Sequence, residues 1–417
     1  MGCSTGNATP PTPAIAPGSE EIDAAAVARE LGEHGPDPRL TDIVPAFDAP
    51  FFQAGLAGYS DAAMRIVARR HGCPLCVTEA LLDRTLLAGG RGFAKADLGE
   101  LFDNVPGGED DHPLVGQIMG SDPPEMAAAA LKMIEQGERP DRVYRQMAET
   151  APGETPAAPA GETTGPEHAE TFAAIDINLA CPVKKIARKA RGGHWLAEPE
   201  GAIAIVRAVR DALPSRVPVT IKIRRSFDDT PEMARNFDRI MDACFEAGVA
   251  WATVHARTVQ QKYIGPSRWD LLREIVRKNS GRVLLGSGDI WSAPDIFRML
   301  RYTGVAGVSV ARGCIGNPWI FRQARQMMAG EAPTAPTIDE QREVLLSHFE
   351  LALGVNAQMR RPELHTAKAM RKFGIRFAAH HPEGEIVRRA MIAVESLDDW
   401  RKVLGEHYNA RDKITAS

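Results

Sequence analysis

The stretch Val217–Val259, VPVTIKIRRSFDDTPEMARNFDRIMDACFEAGVAWATVHARTV, carries two β-branched runs with a helical pattern between them. VPVTIKIR and WATVHARTV read as strands, and Pro231–Ala247 repeats apolar residues at helical spacing. Strand, helix and strand in this order predict two parallel strands joined by a crossover helix. Both faces of such strands are covered, so Lys222, between Ile221 and Ile223, needs a polar or charged partner.

The same alternation recurs on either side. PFFQAG, PLCVTEA, PLVGQIMG, AAIDINLA, RVLLGSG and AGVSVARG supply six more strands. Helical patterns fall at Ala62–Arg70, Pro124–Gln136, Ala202–Ala212, Trp269–Lys278 and Ala293–Tyr302. Eight βα units predict a closed (β/α)8 TIM barrel over residues 46–330 rather than an open sheet. After Gly330 the strand signals stop, and Ile338–Val355, Pro362–Ala379 and Glu385–Val394 predict a small all-helical C-terminal domain over residues 331–417. Residues 1–45, rich in Pro, Ala, Gly and acidic side chains, predict a disordered N-terminal tail. The acidic segment of about residues 149–170, with four prolines and no Lys or Arg, predicts a flexible insertion between a helix and the next strand. Such connections lie on the barrel face opposite the functional one.

Composition narrows the function classes. With 44% hydrophobic and 25% charged residues the chain reads as globular. No apolar run approaches the roughly 20 residues that cross a bilayer, so no membrane is expected. Six scattered cysteines and the lack of a basic-then-apolar leader predict a cytoplasmic protein. Cys73-Pro74-Leu75-Cys76 is a lone CxxC without a second pair, and no metal is expected there. A net charge of −4 excludes an evenly basic coat, so a nucleic acid would have to meet a local patch.

In a barrel, chemistry gathers past the C-terminal strand ends. Those ends carry Ala54-Gly55-Leu56-Ala57-Gly58, Gln117, Asn178 with Cys181, Lys222, His255 with Arg257, Gly286-Ser287-Gly288-Asp289 and Ala311-Arg312-Gly313. Glycines in the last two let backbone N–H groups approach an anion, which suits a phosphate-bearing cofactor. Each residue also has a plainer reading. A glycine turn ends many strands, Lys222 could sit in a structural ion pair, and His255 could be a hydrogen-bonded core histidine. Cys181 alone would be an inert buried thiol. Its context, Asn178 before it and Pro182-Val183-Lys184-Lys185 after it, places it instead in a polar, cationic loop.

Read together, these strand ends resemble the tRNA-dihydrouridine synthase family. AGLAGYSD (54–61) resembles the family's APMAGVTD, NLACPVKK (178–185) its NMGCPxxK, and TIKIR (220–224) its VKxR. VHART (254–258) resembles VHxRT, GSGDI (286–290) resembles xNGDI, and ARGCIGNPWIF (311–321) resembles GRGxxGNPWxF. The chain departs from these patterns at Gly55, Leu56, Ser287 and Ala311, where the family has Pro, Met, Asn and Gly.

The resemblance implies an FMN enzyme that takes electrons from NADPH or NADH and reduces uridine in tRNA to 5,6-dihydrouridine. It implies hydride delivery to C6 and a proton to C5 from Cys181, an ordinary thiol of pKa about 8.5 being mostly protonated at neutral pH. Gly55, Leu56, Ala57, Gln117, Lys222 and His255 would hold the flavin, and Ser287, Gly288, Asp289, Ala311 and Arg312 its phosphate. Asn178, Lys184, Lys185, Arg257, Arg371 and Lys372 would meet the tRNA.

Charge fits that partner. Lys184, Lys185, Arg188, Lys189 and Arg191 crowd one loop, and Arg360, Arg361, Lys368, Arg371, Lys372 and Arg376 oppose only Glu363 between Gln358 and His380. A monomer is expected. Two rivals stand beside this reading: another FMN barrel acting on a free pyrimidine, of the dihydroorotate or dihydropyrimidine dehydrogenase type, and a tRNA-binding protein without catalysis.

Overall fold

A computed structural model of the protein describes residues 18–88, 106–134, 172–182, 192–357 and 359–409. Its strands, in chain order, are β1 Phe51–Gln53, β2 Cys76–Val77, β3 Leu81–Leu82, β4 Leu114–Met119, β5 Ala174–Leu179, β6 Val219–Arg224, β7 Trp251–His255, β8 Leu284–Ser287 and β9 Gly307–Val310. All pairings are parallel. β1 pairs with both β2 and β9, and β2 pairs with β4, so the sheet closes into an eight-membered ring. The short β3 extends the second stave along the upper part of β4. This is the TIM barrel expected from the βα rhythm.

The strand sequences explain why the ring has two covered faces. On β6, Val219, Ile221 and Ile223 are fully buried, while the alternate Thr220 and Lys222 line the barrel interior. Helices Ala62–Arg70, Pro123–Ile134, Pro199–Ala212, Pro231–Glu246, Trp269–Lys278 and Ala293–Thr303 follow successive staves. Several start on side-chain caps: Asp61 accepts from the Met64 N–H, and Thr230 from that of Met233.

Residues 24–43 depart from the expected disordered tail. They form two helices, Ala24–His34 and Pro38–Ile43, capped by Asp23 and Asp37. Leu40, Val44 and Phe47 pack with Phe52, Leu75, Val115, Ala174, Trp251 and Val283, closing the end of the barrel where the strands begin. The first helix lies tightly on the later helix Trp319–Met328; a Cβ on Gly32 would sit 1.9 Å from the Met328 carbonyl oxygen. The segment lacks enough apolar residues for a core of its own, but the barrel's open end supplies the missing surface. Residues 1–17 and the acidic segment at 149–170 lie outside the described residues.

Among the described residues beyond the barrel come four α-helices, Ile338–Val355, Pro362–Phe377, Gly384–Ala393 and Leu397–His407. Sequence reading identifies the first three. The fourth begins at a capping box, Ser396 with Asp399, a signal that was legible in the sequence. These helices share one hydrophobic core with the barrel. Trp319 meets Phe377 edge-on at 5.4 Å, and Tyr59, at the barrel mouth, meets Phe373 at 5.6 Å. Among the described residues no helix is long and apolar enough to cross a membrane.

Candidate active site

Neighbouring strands place Gln117, Asp176 and Thr220 side by side in one layer of the barrel. Their side chains join: Gln117 Nε2 donates to Asp176 Oδ2 at 2.7 Å, and Thr220 Oγ1 donates to Asp176 Oδ1 at 2.7 Å. Two residues further along β5, and so with its side chain on the same face, Asn178 donates through Nδ2 to Gln117 Oε1 at 2.8 Å. Its Oδ1 accepts the backbone N–H groups of Ala180 and Cys181 at 3.0 and 3.1 Å. This turn sets the thiol at the barrel mouth. Arg224, only 2% exposed, donates Nε to the Ala180 carbonyl at 2.8 Å and Nη1 to those of Thr258 and Lys262. Gly193 N–H closes the loop onto the Cys181 carbonyl at 2.9 Å.

Asn178, expected at the substrate, therefore has a positioning task, with one Nδ2 N–H left over for a ligand. Replacing it with alanine removes the acceptor of two backbone amides and the donor to Gln117. Unmade buried bonds of this kind cost about 1–3 kcal/mol. We expect lower urea stability and severalfold faster alkylation of Cys181 by iodoacetamide. Stability and alkylation both at the parent level would show that Asn178 does not hold this loop.

Lys222 and His255 line the same mouth. Desolvation lowers Lys222 to about 8, with Arg224 pushing the same way and Asp176 opposing it. Desolvation raises Asp176 to about 6, against the hydrogen bonds from Thr220 and Gln117. Between these values one is ammonium and the other carboxylate. His255 is held well below its usual range by burial and then by Arg224, Lys222, Arg257 and Arg312. Its Nδ1 accepts the Arg257 backbone N–H at 3.2 Å, so the neutral ring carries its proton on Nε2 and offers a donor there.

At the ends of β8 and β9 a second constellation forms. Gly288 adopts φ +119°, and a Cβ on it would sit 2.3 Å from Ser267 Oγ and 3.1 Å from His255 Cε1. Trp269 Nε1 fixes this turn by donating to the Gly288 carbonyl at 3.0 Å. Asp289 follows with φ +56°, and its carboxylate accepts from Arg257, from Arg312 and from the Ser267 N–H. Two buried polar atoms here, Ser267 Oγ and Arg257 Nη1, have no protein partner. With the half-exposed Arg312 and the close-approach turns at Gly288 and Gly313, they form a donor set that fits a phosphate. The Asp289 side chain orients these cations and does not itself face an anion. Ser287 is 1% exposed and Ala311 precedes the short turn Arg312–Cys314.

Gly55, Leu56 and Ala57 follow β1. A Cβ on Gly55 would come within 2.3 Å of the Thr78 carbonyl oxygen and 3.3 Å of Gln117 Oε1, so the chain passes close to the Gln117 layer. Behind this loop, the Leu56 N–H donates to Ser60 Oγ, and the fully buried Arg65 donates Nη1 to the Ser60 carbonyl at 2.9 Å.

Two expected substrate contacts take other roles. Arg257 is 3% exposed and clamps Asp289 at 2.7 Å and the Gly265 carbonyl at 2.6 Å. Lys372 turns inward, where its Nζ donates to the Gly58 carbonyl and lies 5.1 Å from the rings of Tyr59 and Phe373. Arg371 is half-buried, whereas Arg360, Arg361, Lys368 and Arg376 are exposed. Lys184 and Lys185 lie outside the described residues. Cys73 and Cys76 are buried thiols with sulfurs 3.9 Å apart, and among the described residues no His, Cys, Asp and Glu cluster could hold a metal. Sequence reading missed Asp176, Thr220 and Ser267. Period-two alternation along IDIN puts Asp176 on the face of Asn178, and that signal could have found it.

Comparison with known proteins completes this description. The family model for dihydrouridine synthase matches residues 164–408. The chain is 32% identical over 231 residues to a probable tRNA-dihydrouridine synthase of Mycobacterium leprae, covering 54% of this chain and 57% of that protein. The chain thus spans little more than half the length of such mycobacterial relatives. It is 30% identical over 336 residues to tRNA-dihydrouridine synthase B of Shewanella oneidensis, covering 79% and 83%. A solved structure described as TcOYE with pHBA aligns with a TM-score of 0.40 at 13% identity, over 69% of this chain and 91% of the other.

Proposed function

We propose, from the premise that this chain belongs to the dihydrouridine synthase family, that it reduces a uridine of tRNA to 5,6-dihydrouridine. The cofactor in this reading is FMN, and the reductant is NADPH or NADH. The observation that carries it is the hold of Asn178 and Arg224 on the turn that bears Cys181, Asn178 also bonding Gln117 and pairing along the strands with Lys222.

FMN, when bound, supplies the hydride that uridine accepts at C6. Ser267, Arg257 Nη1, Arg312 and the Gly288 turn would hold its phosphate; Gln117, Lys222 and His255 Nε2–H would bond its ring. Cys181 holds the proton that goes to C5. His255 stays neutral among four cations, so it donates a hydrogen bond without adding charge. A uridine must leave its stack to reach this mouth, which favours a loop or an already unpaired position.

The exposed cations of the C-terminal helices suit the phosphates of a folded RNA, and they have no use toward a free pyrimidine. The cytoplasm, where tRNA is found, is the compartment this reading requires, and a monomer suffices for it. Purified protein is expected to be yellow, to oxidise NADPH and to leave dihydrouridine in bulk tRNA by mass spectrometry of nucleosides. Colourless protein that yields no dihydrouridine after FMN addition would overturn the reading.

Changing Arg360, Arg361 and Lys368 together to glutamine removes three exposed cations. The KM for tRNA should rise about tenfold or more at physiological salt, with kcat retained and the salt dependence flattened. A KM and salt slope equal to the parent's would move the tRNA surface elsewhere.

A further inference from the structure

The barrel interior holds an acid that the reaction above does not use. Asp176 is 4% exposed, and the small cavity beside it is lined by the apolar Phe52, Val77, Val115 and Trp251 together with the hydroxyls of Thr253 and Ser309. A carboxylate in such surroundings is costly, and an apolar side chain would fill the layer without that cost. Its oxygens are nonetheless engaged at short range by Gln117 and Thr220, and Lys222 lines the same cavity.

We propose that Asp176 is a positioning residue, which fixes the orientation of the Gln117 amide and supplies the counter-charge of the Lys222 ammonium. The proposal deepens the functional reading above and rests on it for the roles of Gln117 and Lys222.

The orientation follows from donor and acceptor chemistry. An ionised carboxylate only accepts, so it draws Gln117 Nε2 toward itself and turns Oε1 to Asn178 Nδ2. Asn178 in turn keeps Oδ1 for the Ala180 and Cys181 amides. One buried acceptor thus sets the polarity of a chain that ends at the thiol. Without it the Gln117 amide is free to flip, and a flipped amide would present a donor to the donor of Asn178.

The electrostatic part acts across the same layer. Arg224, on the strand of Lys222, disfavours its charge, and His255 on β7 is neutral and supplies none. Asp176 is the group that opposes them. Asn178, the strand partner of Lys222, is uncharged.

Two variants separate the parts. Asp176→Asn removes the charge but keeps an oxygen able to accept from Gln117; Asp176→Ala removes both. In full-length protein carrying ε-13C lysine, with the Lys222 signal assigned through Lys222→Arg, the Lys222 titration should fall by at least about one pH unit in both variants. Cys181 alkylation should change only in Asp176→Ala. In flavin-loaded protein, the pH at which reduction by NADPH falls away should move down with the Lys222 titration.

A Lys222 titration unchanged in Asp176→Asn would overturn the counter-charge role. Cys181 reactivity equal to the parent's in a folded Asp176→Ala protein would overturn the orienting role. If the parent binds no flavin, the functional reading fails, and the lysine titration and the alkylation rates still decide this proposal by themselves.

Discussion

Replacing Cys181 with alanine should leave a protein that binds FMN and is reduced by NADPH, yet makes at least about a hundredfold less dihydrouridine, the lower range for losing a general acid. The asymmetry follows from the geometry. Cys181 is held by Asn178 and Gly193, while the groups assigned to the cofactor are Gln117, Lys222, His255 and the donors around Gly288. The hydrogen bonds that orient those groups run from Gln117 to Asp176, from the Arg257 N–H to His255 and from Trp269 to the Gly288 carbonyl. Reduction of uridine needs a hydride at C6 and a proton at C5, and only the second loses its source. Stopped-flow flavin reduction, paired with nucleoside mass spectrometry, separates the two half-reactions. Parent-level dihydrouridine from the alanine variant would remove Cys181 from the role of acid. Loss of flavin reduction as well would show that its part is structural.

Asp111→Ala should be the most destabilising single change at the mouth. Arg65 and Asp111 are each fully buried, with Nη2 to Oδ2 at 2.6 Å and Nε to Oδ1 at 3.0 Å. Asp111 also accepts the Gly107 N–H at 2.9 Å. Removing one partner of such a pair leaves a charge without compensation, which costs about 3–5 kcal/mol. Replacing both partners with apolar residues of similar volume costs far less. We therefore expect Asp111→Ala to lose that amount in urea unfolding, and Arg65→Met with Asp111→Leu to recover much of it. Arg65 also ties down the Ser60 carbonyl, so FMN affinity should fall in the double variant even where stability returns. A loss below about 1 kcal/mol, the range of exposed pairs, would show that the pair is not buried in solution.

The N-terminal helices mark one limit of reading by composition. Asp23 and Asp37 were legible as caps, and Pro38 as a helix start. The segment was nevertheless expected to lack order, because its few apolar residues cannot make a core alone. Burial is a property of the pair of surfaces, and the second surface, from Leu75 to Val283, is dispersed through the chain.

The sequence by itself determined the eight staves and their parallel direction, and it named the strand end at which functional groups are expected. It did so because β-branched runs, helical periodicity and strand termini are local signals. It also placed Cys181 in a turn after Asn178, three residues away. Only the tertiary structure decided which side chains meet across strands. Gln117 and Asp176 are 59 positions apart, Asp176 and Thr220 are 44, and Arg257 and Asp289 are 32. Alternation tells which face a side chain takes, but the stagger between neighbouring strands sets which residues share a layer, and that stagger is fixed by ring closure and packing. For the same reason Arg257 and Lys372, cations at the expected places, face Asp289 and Gly58: a charge finds the nearest acceptor that the packed fold supplies.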